Sequence, residues 1–176
     1  TKNTTWSAWI YPITNSANSV IMRKWSSGTE DKSLILLTSG AIAFTLYNVG
    51  SPYDVTAGNV SIGQWSHIAG TYDGANMKIY INGSLAGSLA STGNILNSTQ
   101  PLTIGEDRTV VIPFRGLIDD VRIYNSALLD SEIKQLYLNR FPDVRRRVWF
   151  LPSAAPSVRI KDIIGVKTPG TDTDNK

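Results

Sequence analysis

QWSHIAGTYDGANMKIYINGSLAGSLA, residues 64–90, decides the fold. Asn82 and Gly83 stand between MKIYI and SLAGSLA, two runs of strand-forming residues. An Asn-Gly pair in that setting is a strong hairpin signal, because a type I′ turn needs positive φ at both central residues and these two adopt it most cheaply. Asp73-Gly74 punctuates the chain in the same way between WSHIAGTY and MKIYI. The stretch therefore reads as three antiparallel strands joined by two tight turns.

Outward from this unit the same grammar repeats. TTWSAWIYP (4–12), SVIMRKW (19–25), SLILLTS (33–39), AIAFTLYNV (41–49) and PLTIG (101–105) are short, β-rich and bounded by turn residues. Pro12 closes the first of them, and SSGTEDK (26–32) separates the second from the third. GLIDDVRIY (116–124) alternates like a further strand. One helix is expected at about 130–139: Ile133, Leu136 and Tyr137 share a face, and Asp130 is the expected cap. Many short strands with frequent turns predict an all-β, two-sheet antiparallel sandwich with one short C-terminal helix.

The 41% hydrophobic content describes a folding chain, and 176 residues suffice for a domain with a real core. No apolar run approaches the roughly 20 residues of a membrane span, and no start resembles a signal peptide. The beginning at Thr1 rather than Met fits a processed or partial chain. With no cysteine and one histidine, disulfides, thiolate metal sites and histidine-cluster zinc sites are excluded. Residues 140–176 carry eight basic and four acidic side chains, a net +4 against +3 for the whole chain, which leaves the rest at −1. A near-neutral body with an extended basic tail is not the footprint of a nucleic-acid-binding fold. The composition shift gives two parts: a domain over 1–139, and an Arg/Pro-rich extension over 140–176 for docking or edge-strand pairing.

The blocks QWSHIAGTYDGANMKIYINGSLAGS, PLTIG and FRGLIDDVRIYNSALLDSEIKQLY, in that order, resemble the laminin-G-like, concanavalin-A-like jelly-roll family over about residues 4–137. The resemblance implies a jelly-roll topology and, by family habit, a strand upstream of TTWSAWIYP that is missing here. That strand normally pairs beside the Ile-Asp-Asp-Val-Arg strand, so an open edge is expected. The family often has Ser or Thr where Leu129 stands, which is why the cap is assigned to Asp130. Such folds host lectins, adhesion modules, glycosidases and scaffolds, so function must come from sites.

Strand alternation places Asp119 with Leu117, Val121 and Ile123, on the apolar side. A carboxylate there needs a partner. The resemblance implies Ca2+ at Asp119; the structural alternative is that Asp119 accepts hydrogen bonds from loop N–H groups and locks strand to helix. Asp120 with Arg122 reads as a surface ion pair of small weight. In related pentraxins an acidic loop after a similar strand binds calcium, which makes Glu106 and Asp107 in GEDRTVVIP metal candidates; the alternative is a solvated charged turn with Arg108. NVGSPYD (48–54) offers Asn48, Tyr53 and Asp54 on one loop, an aromatic face beside an amide and a carboxylate, as sugar sites require. Arg108 joins them as a ligand-contact candidate, against the plain reading of an ordinary turn. The tryptophans read as core.

Two carboxylates flanking one bond are the requirement for glycoside hydrolysis, and adjacent strand residues point apart. His67, mid-strand, reads as packed imidazole rather than a triad member. No enzyme is expected. Arg145, Arg146, Arg147 and Trp149 are assembly candidates: too few cations for nucleic acid or membrane alone, but suited to pairing with a neighbouring subunit. A jelly roll followed by an Arg-rich stretch also resembles open reading frames of phages and environmental viruses. The expected function is a non-catalytic module binding carbohydrate or protein, with calcium assistance, outside the cell or on a virion surface. The alternative is a structural virion or appendage subunit whose alternating tail SVRIKDIIGVK (157–167) contacts other subunits or adds to a sheet edge.

Overall fold

A computed structural model describes residues 3–15, 18–26, 29–48, 51–95, 99–106 and 113–139, without the side chains of 25–26, 29–31, 48 and 51–52. The chain forms two compact units, Thr1–Tyr137 and Leu138–Lys176. The tail segments considered above lie outside the described residues.

Among the described residues are ten strands and one helix. The strands are β1 (Thr4–Pro12), β2 (Ser19–Ser26), β3 (Thr29–Leu36), β4 (Ile42–Asn48), β5 (Ser51–Ala57), β6 (Ser66–Tyr72), β7 (Asn76–Ile81), β8 (Ser84–Ala90), β9 (Leu102–Ile104) and β10 (Gly116–Tyr124), followed by α1 (Asp130–Leu138). They pair antiparallel into two five-stranded sheets, β10-β1-β6-β7-β8 and β5-β4-β3-β2-β9, the expected jelly-roll sandwich. The decisive turn takes its expected form: Asn82 has φ 51° and Gly83 has φ 74°.

The inner faces meet in one apolar core that includes Trp6, Ile10, Met22, Leu34, Phe44 and Ile68. Phe44 of β4 lies directly over Gly70 of β6, where a Cβ would sit 2.5 Å from the ring. At one seam β5 and β8 close tightly: a Cβ at Gly87 would be 2.5 Å from that of Ala57.

The outer face of the first sheet is covered by α1. Ala69, Tyr80 and Ile133 form a second apolar cluster there, and Trp9 stacks on Tyr137 with centroids 5.6 Å apart. Strands β1 and β6 are therefore covered on both faces. The start of the helix corrects the expected cap. The carbonyl of Leu129 accepts the first helical bonds from Glu132 and Ile133, which makes Leu129 the N-cap, and the Glu132 carboxylate returns to the Leu129 N–H at 2.7 Å. Half of a capping box is thus present without its hydroxyl. Asp130 is committed elsewhere, accepting from the Tyr80 hydroxyl at 2.7 Å and the Lys78 ammonium at 3.1 Å. Those two bonds hold its carboxyl below the usual range, the Tyr80 bond most. The folded carboxyl titrates below the unfolded one. The latch therefore contributes fully above the unfolded carboxylate range and is lost only as pH falls through the folded value. Since Leu129 is 67% exposed, Leu129→Ser loses little burial and completes the box. Thermal or urea unfolding should show a gain of about 1 kcal/mol; no gain would mean that the cap is assigned wrongly.

Candidate functional site: the outer face of the second sheet

The pair of carboxylates in GLIDDVRIY does not form the site that alternation suggests. Ser7 pairs with Arg122 and Trp9 with Asp119, so Ala8 alone faces both Asp120 and Val121. This is a β-bulge, with Asp120 in the left-handed region at φ 49°. The extra residue switches the faces. Ile118 and Val121 pack on the core, whereas Asp119 is exposed. The expectation of an inward Asp119 beside Val121 and Ile123 is thereby corrected. Its carboxylate accepts from the Asp120 N–H at 2.8 Å and so fastens the bulge, a local form of the structural role considered for it. Asp120 accepts two bonds from Arg122, at 2.9 and 2.8 Å, a forked pair at the surface. That pairing raises the guanidinium above its already high range.

Glu106 is exposed just after β9; Asp107 and Arg108 lie outside the described residues. Among the described residues no three histidine or carboxylate side chains converge on one point. Asn48, Tyr53 and Asp54 are not on one loop. Asn48 ends β4, and Tyr53 and Asp54 both belong to β5. The turn is shorter than NVGSPYD suggests, and strand alternation parts the two residues: Tyr53 packs on the core while Asp54 is exposed on the outer face. Arg145, Arg146, Arg147 and Trp149 lie outside the described residues. His67 is 2% exposed and packed between Trp9 and Tyr137, beneath the helix.

What the structure does assemble is a polar row. Asp54 pairs with Thr45, Thr45 with Ser33, Ser33 with Arg23, and Arg23 with Thr103. Each residue has core or inward-facing neighbours along its own strand, so all five side chains share the outer face. The row crosses the whole sheet, with two hydroxyls between the Asp54 carboxylate and the Arg23 guanidinium and a third, that of Thr103, beyond it. Thr103 donates to the Arg23 carbonyl at 3.2 Å, which ties the short β9 to its neighbour. Along β4 the row is flanked by Ala43 on one side and half-buried Tyr47 on the other. Ser33 and Thr45 are buried, at 6% and 8% exposed, while Asp54 at the end of the row is exposed. Donors and acceptors spaced by one strand, roughly 4.8 Å, beside an aromatic edge suit a ligand rich in hydroxyl groups. Sequence reading missed Arg23, Ser33, Thr45 and Thr103, whose only local signal is a polar residue alternating with apolar ones.

A second concavity, of about 560 Å³, opens at the seam between β9 and β10, with Trp6, Lys24, Lys32, Leu102 and Ile123 among its walls. Thr4 and Thr5 brace that wall by donating to the carbonyls of Tyr124 and Ser126 at 3.1 and 2.8 Å.

Comparison with known proteins agrees with this architecture. The chain is 26% identical over 145 residues to adhesion G-protein coupled receptor V1 of Danio rerio, matching 77% of this chain but spanning only 2% of that protein. A carbohydrate-binding module, CBM40 of the Ruminococcus gnavus IT-sialidase bound to α2,3 sialyllactose, superposes with TM-score 0.64 at 19% identity. That match covers 77% of this chain and 82% of the module. The heptameric SAP-like pentraxin of Limulus polyphemus superposes with TM-score 0.60 at 19% identity, covering 77% and 70% of the two chains. These likenesses establish a shared fold. The family model of the concanavalin A-like lectin/glucanase superfamily, a laminin-G type, matches residues 1–134. The chain belongs to that superfamily.

Proposed function

We propose that this chain is a non-catalytic binding module that holds a carbohydrate against the outer face of the second sheet. The polar row Asp54–Thr45–Ser33–Arg23–Thr103 is the observation that carries the reading. Two features support a purely binding role. Asp119 fastens the bulge through the Asp120 N–H, Asp120 is engaged by Arg122, and His67 is sealed under the helix. A structural neighbour whose own name records a bound sugar, the sialyllactose-bound carbohydrate-binding module, adds support. We place the module outside the cell, where glycans are displayed.

The test is a screen of neutral and acidic glycans, followed by calorimetry on the best ligand. Asp54→Ala and Arg23→Ala each remove a charge-assisted hydrogen bond worth about 1.5–3 kcal/mol, so affinity should fall by roughly tenfold or more. Because Asp54 is exposed, stability should change by less than about 0.5 kcal/mol. Lys24→Ala, in the seam, should leave affinity unchanged. The row supplies its own donors and acceptors, so calcium and chelator should give the same affinity. A screen without binders, or binding indifferent to both outer-face substitutions, sinks the reading.

A further inference from the structure

At one end of the sandwich three stretches of chain are laced together by their backbones. The N–H of Ile13 donates to the Arg115 carbonyl at 2.9 Å, and the N–H of Gly63 donates to the Pro12 carbonyl at 2.8 Å. Tyr11 pairs with Leu117 across β1 and β10, and Pro12 pairs with Gly116. The lacing gathers Ile13, Ile62 and Leu117, which are far apart in sequence, and leaves them 64%, 50% and 55% exposed. A lone exposed aliphatic residue is ordinary, but three brought together from separate segments form a surface feature.

Two further observations indicate what this tip meets. The first is charge. In residues 10–15, 57–66 and 113–118, the segments that join there, Arg115 is the one charged side chain, and it is exposed. Carboxylates begin further out, with Glu106 beyond Gly105, whose carbonyl accepts from the Phe114 N–H at 2.7 Å, and with Asp119 two residues along β10. A partner protein is normally met by a polar rim around an apolar centre. Aliphatic ends with a single cation suit a lipid surface instead, where a guanidinium reaches phosphate while apolar groups reach hydrocarbon.

The second is the pair of rings behind the tip. Tyr11 and Trp65 meet edge to face with centroids 5.7 Å apart, both half-buried. A Cβ at Gly63 would lie 3.8 Å from the Tyr11 hydroxyl, which sets that polar end beside the Ile62–Gly63 turn. Indole and phenol rings, each an apolar body with a polar end, are favoured at the headgroup level of a bilayer. We infer that this end of the sandwich is a membrane-contact tip. Ile13, Ile62 and Leu117 enter the boundary between headgroups and acyl chains, Tyr11 and Trp65 lie among the headgroups, and Arg115 meets a lipid phosphate. The backbone bonds already fix the three segments, so entry orders little additional chain. Three aliphatic side chains give shallow, reversible contact.

Flotation of the full-length protein with phosphatidylcholine vesicles tests this. The lipid has no net charge, so the basic residues of 140–176 add little attraction. Wild-type protein should float with the vesicles, and the triple variant Ile13→Ser/Ile62→Ser/Leu117→Ser should partition at least tenfold less. Since these side chains are mostly exposed, its Tm should stay within about 3 °C of wild type. Leu102→Ser/Leu129→Ser, which removes exposed leucines elsewhere, should leave partition unchanged. Vesicles of brominated phosphatidylcholine should quench tryptophan fluorescence, and Trp65→Phe should abolish that quenching. Wild-type protein that stays in the buffer, a triple variant that floats as well as wild type, or quenching that survives Trp65→Phe overturns the inference. So does a dimer in sedimentation that the triple variant loses, since the tip would then belong to a second copy.

Discussion

Phe44→Ala is expected to lower the unfolding free energy by about 3–5 kcal/mol, the range for removing a buried aromatic ring. The ring is fully buried, and it is the point where the two sheets bear on each other. Position 70 on β6 is glycine because the ring occupies the space a Cβ would take. The expected Tm loss is about 10–20 °C for a domain of this size. Coupling between the two positions makes the prediction sharper. Gly70→Ala alone should cost about 1–3 kcal/mol through overpacking. Added to Phe44→Ala it should cost almost nothing, since the new methyl enters the cavity that the ring has left. Additive losses in this double-mutant cycle would mean that the sheets do not meet as described.

Gly116→Ala should be comparably severe for a different reason. Gly116 opens β10 at φ 156°, opposite Pro12, and a Cβ there would fall 2.1 Å from the Tyr11 carbonyl oxygen and 2.8 Å from Phe114. Backbone cannot rotate aside as a flexible side chain can, so β1 and β10 must separate. The dihedral contributes about 1–3 kcal/mol of strain and the overlap a similar amount. Beyond the stability loss, amide hydrogen exchange along Gly116–Tyr124 should accelerate at least tenfold relative to β6 and β7. A variant with unchanged exchange in β10 would contradict the close approach of these strands.

The parts of the fold that were legible in the sequence are those written in local chemistry. Asn82 and Gly83 announce a turn wherever they stand between alternating runs, and the helix face of Ile133, Leu136 and Tyr137 follows from its spacing. The bulge at Asp120 was not legible. GLIDDVRIY alternates convincingly by itself, and only pairing against Ser7, Ala8 and Trp9 reveals one residue too many. Aspartate tolerates the left-handed region well enough to stand where glycine would have betrayed the irregularity. The helix cap misled for a related reason. Asp130 is a good capping residue by type, but the buried Tyr80 hydroxyl, from a strand 50 residues away, claims its carboxylate.

The candidate site was the least legible, because it belongs to no segment. Asp54 was singled out from its neighbours in NVGSPYD, yet its partners on the sheet are Thr45, Ser33, Arg23 and Thr103, drawn from four other strands. Register is a long-range property: a slip of one residue in any of these strands would turn its member of the row inward. A search for clustered ligand types along the chain therefore finds loops, while the sheet builds its surface from single polar residues spaced far apart.

The most direct test of the account is an amide chemical-shift map recorded while the best glycan from the screen is titrated into the protein. Perturbations should concentrate on Arg23, Ser33, Thr45, Asp54 and Thr103, spreading to Tyr47, with Trp6 and Ile123 in the seam and His67 under the helix unmoved. Shifts gathered at the seam or on the helical face, with the outer row silent at saturation, would contradict it.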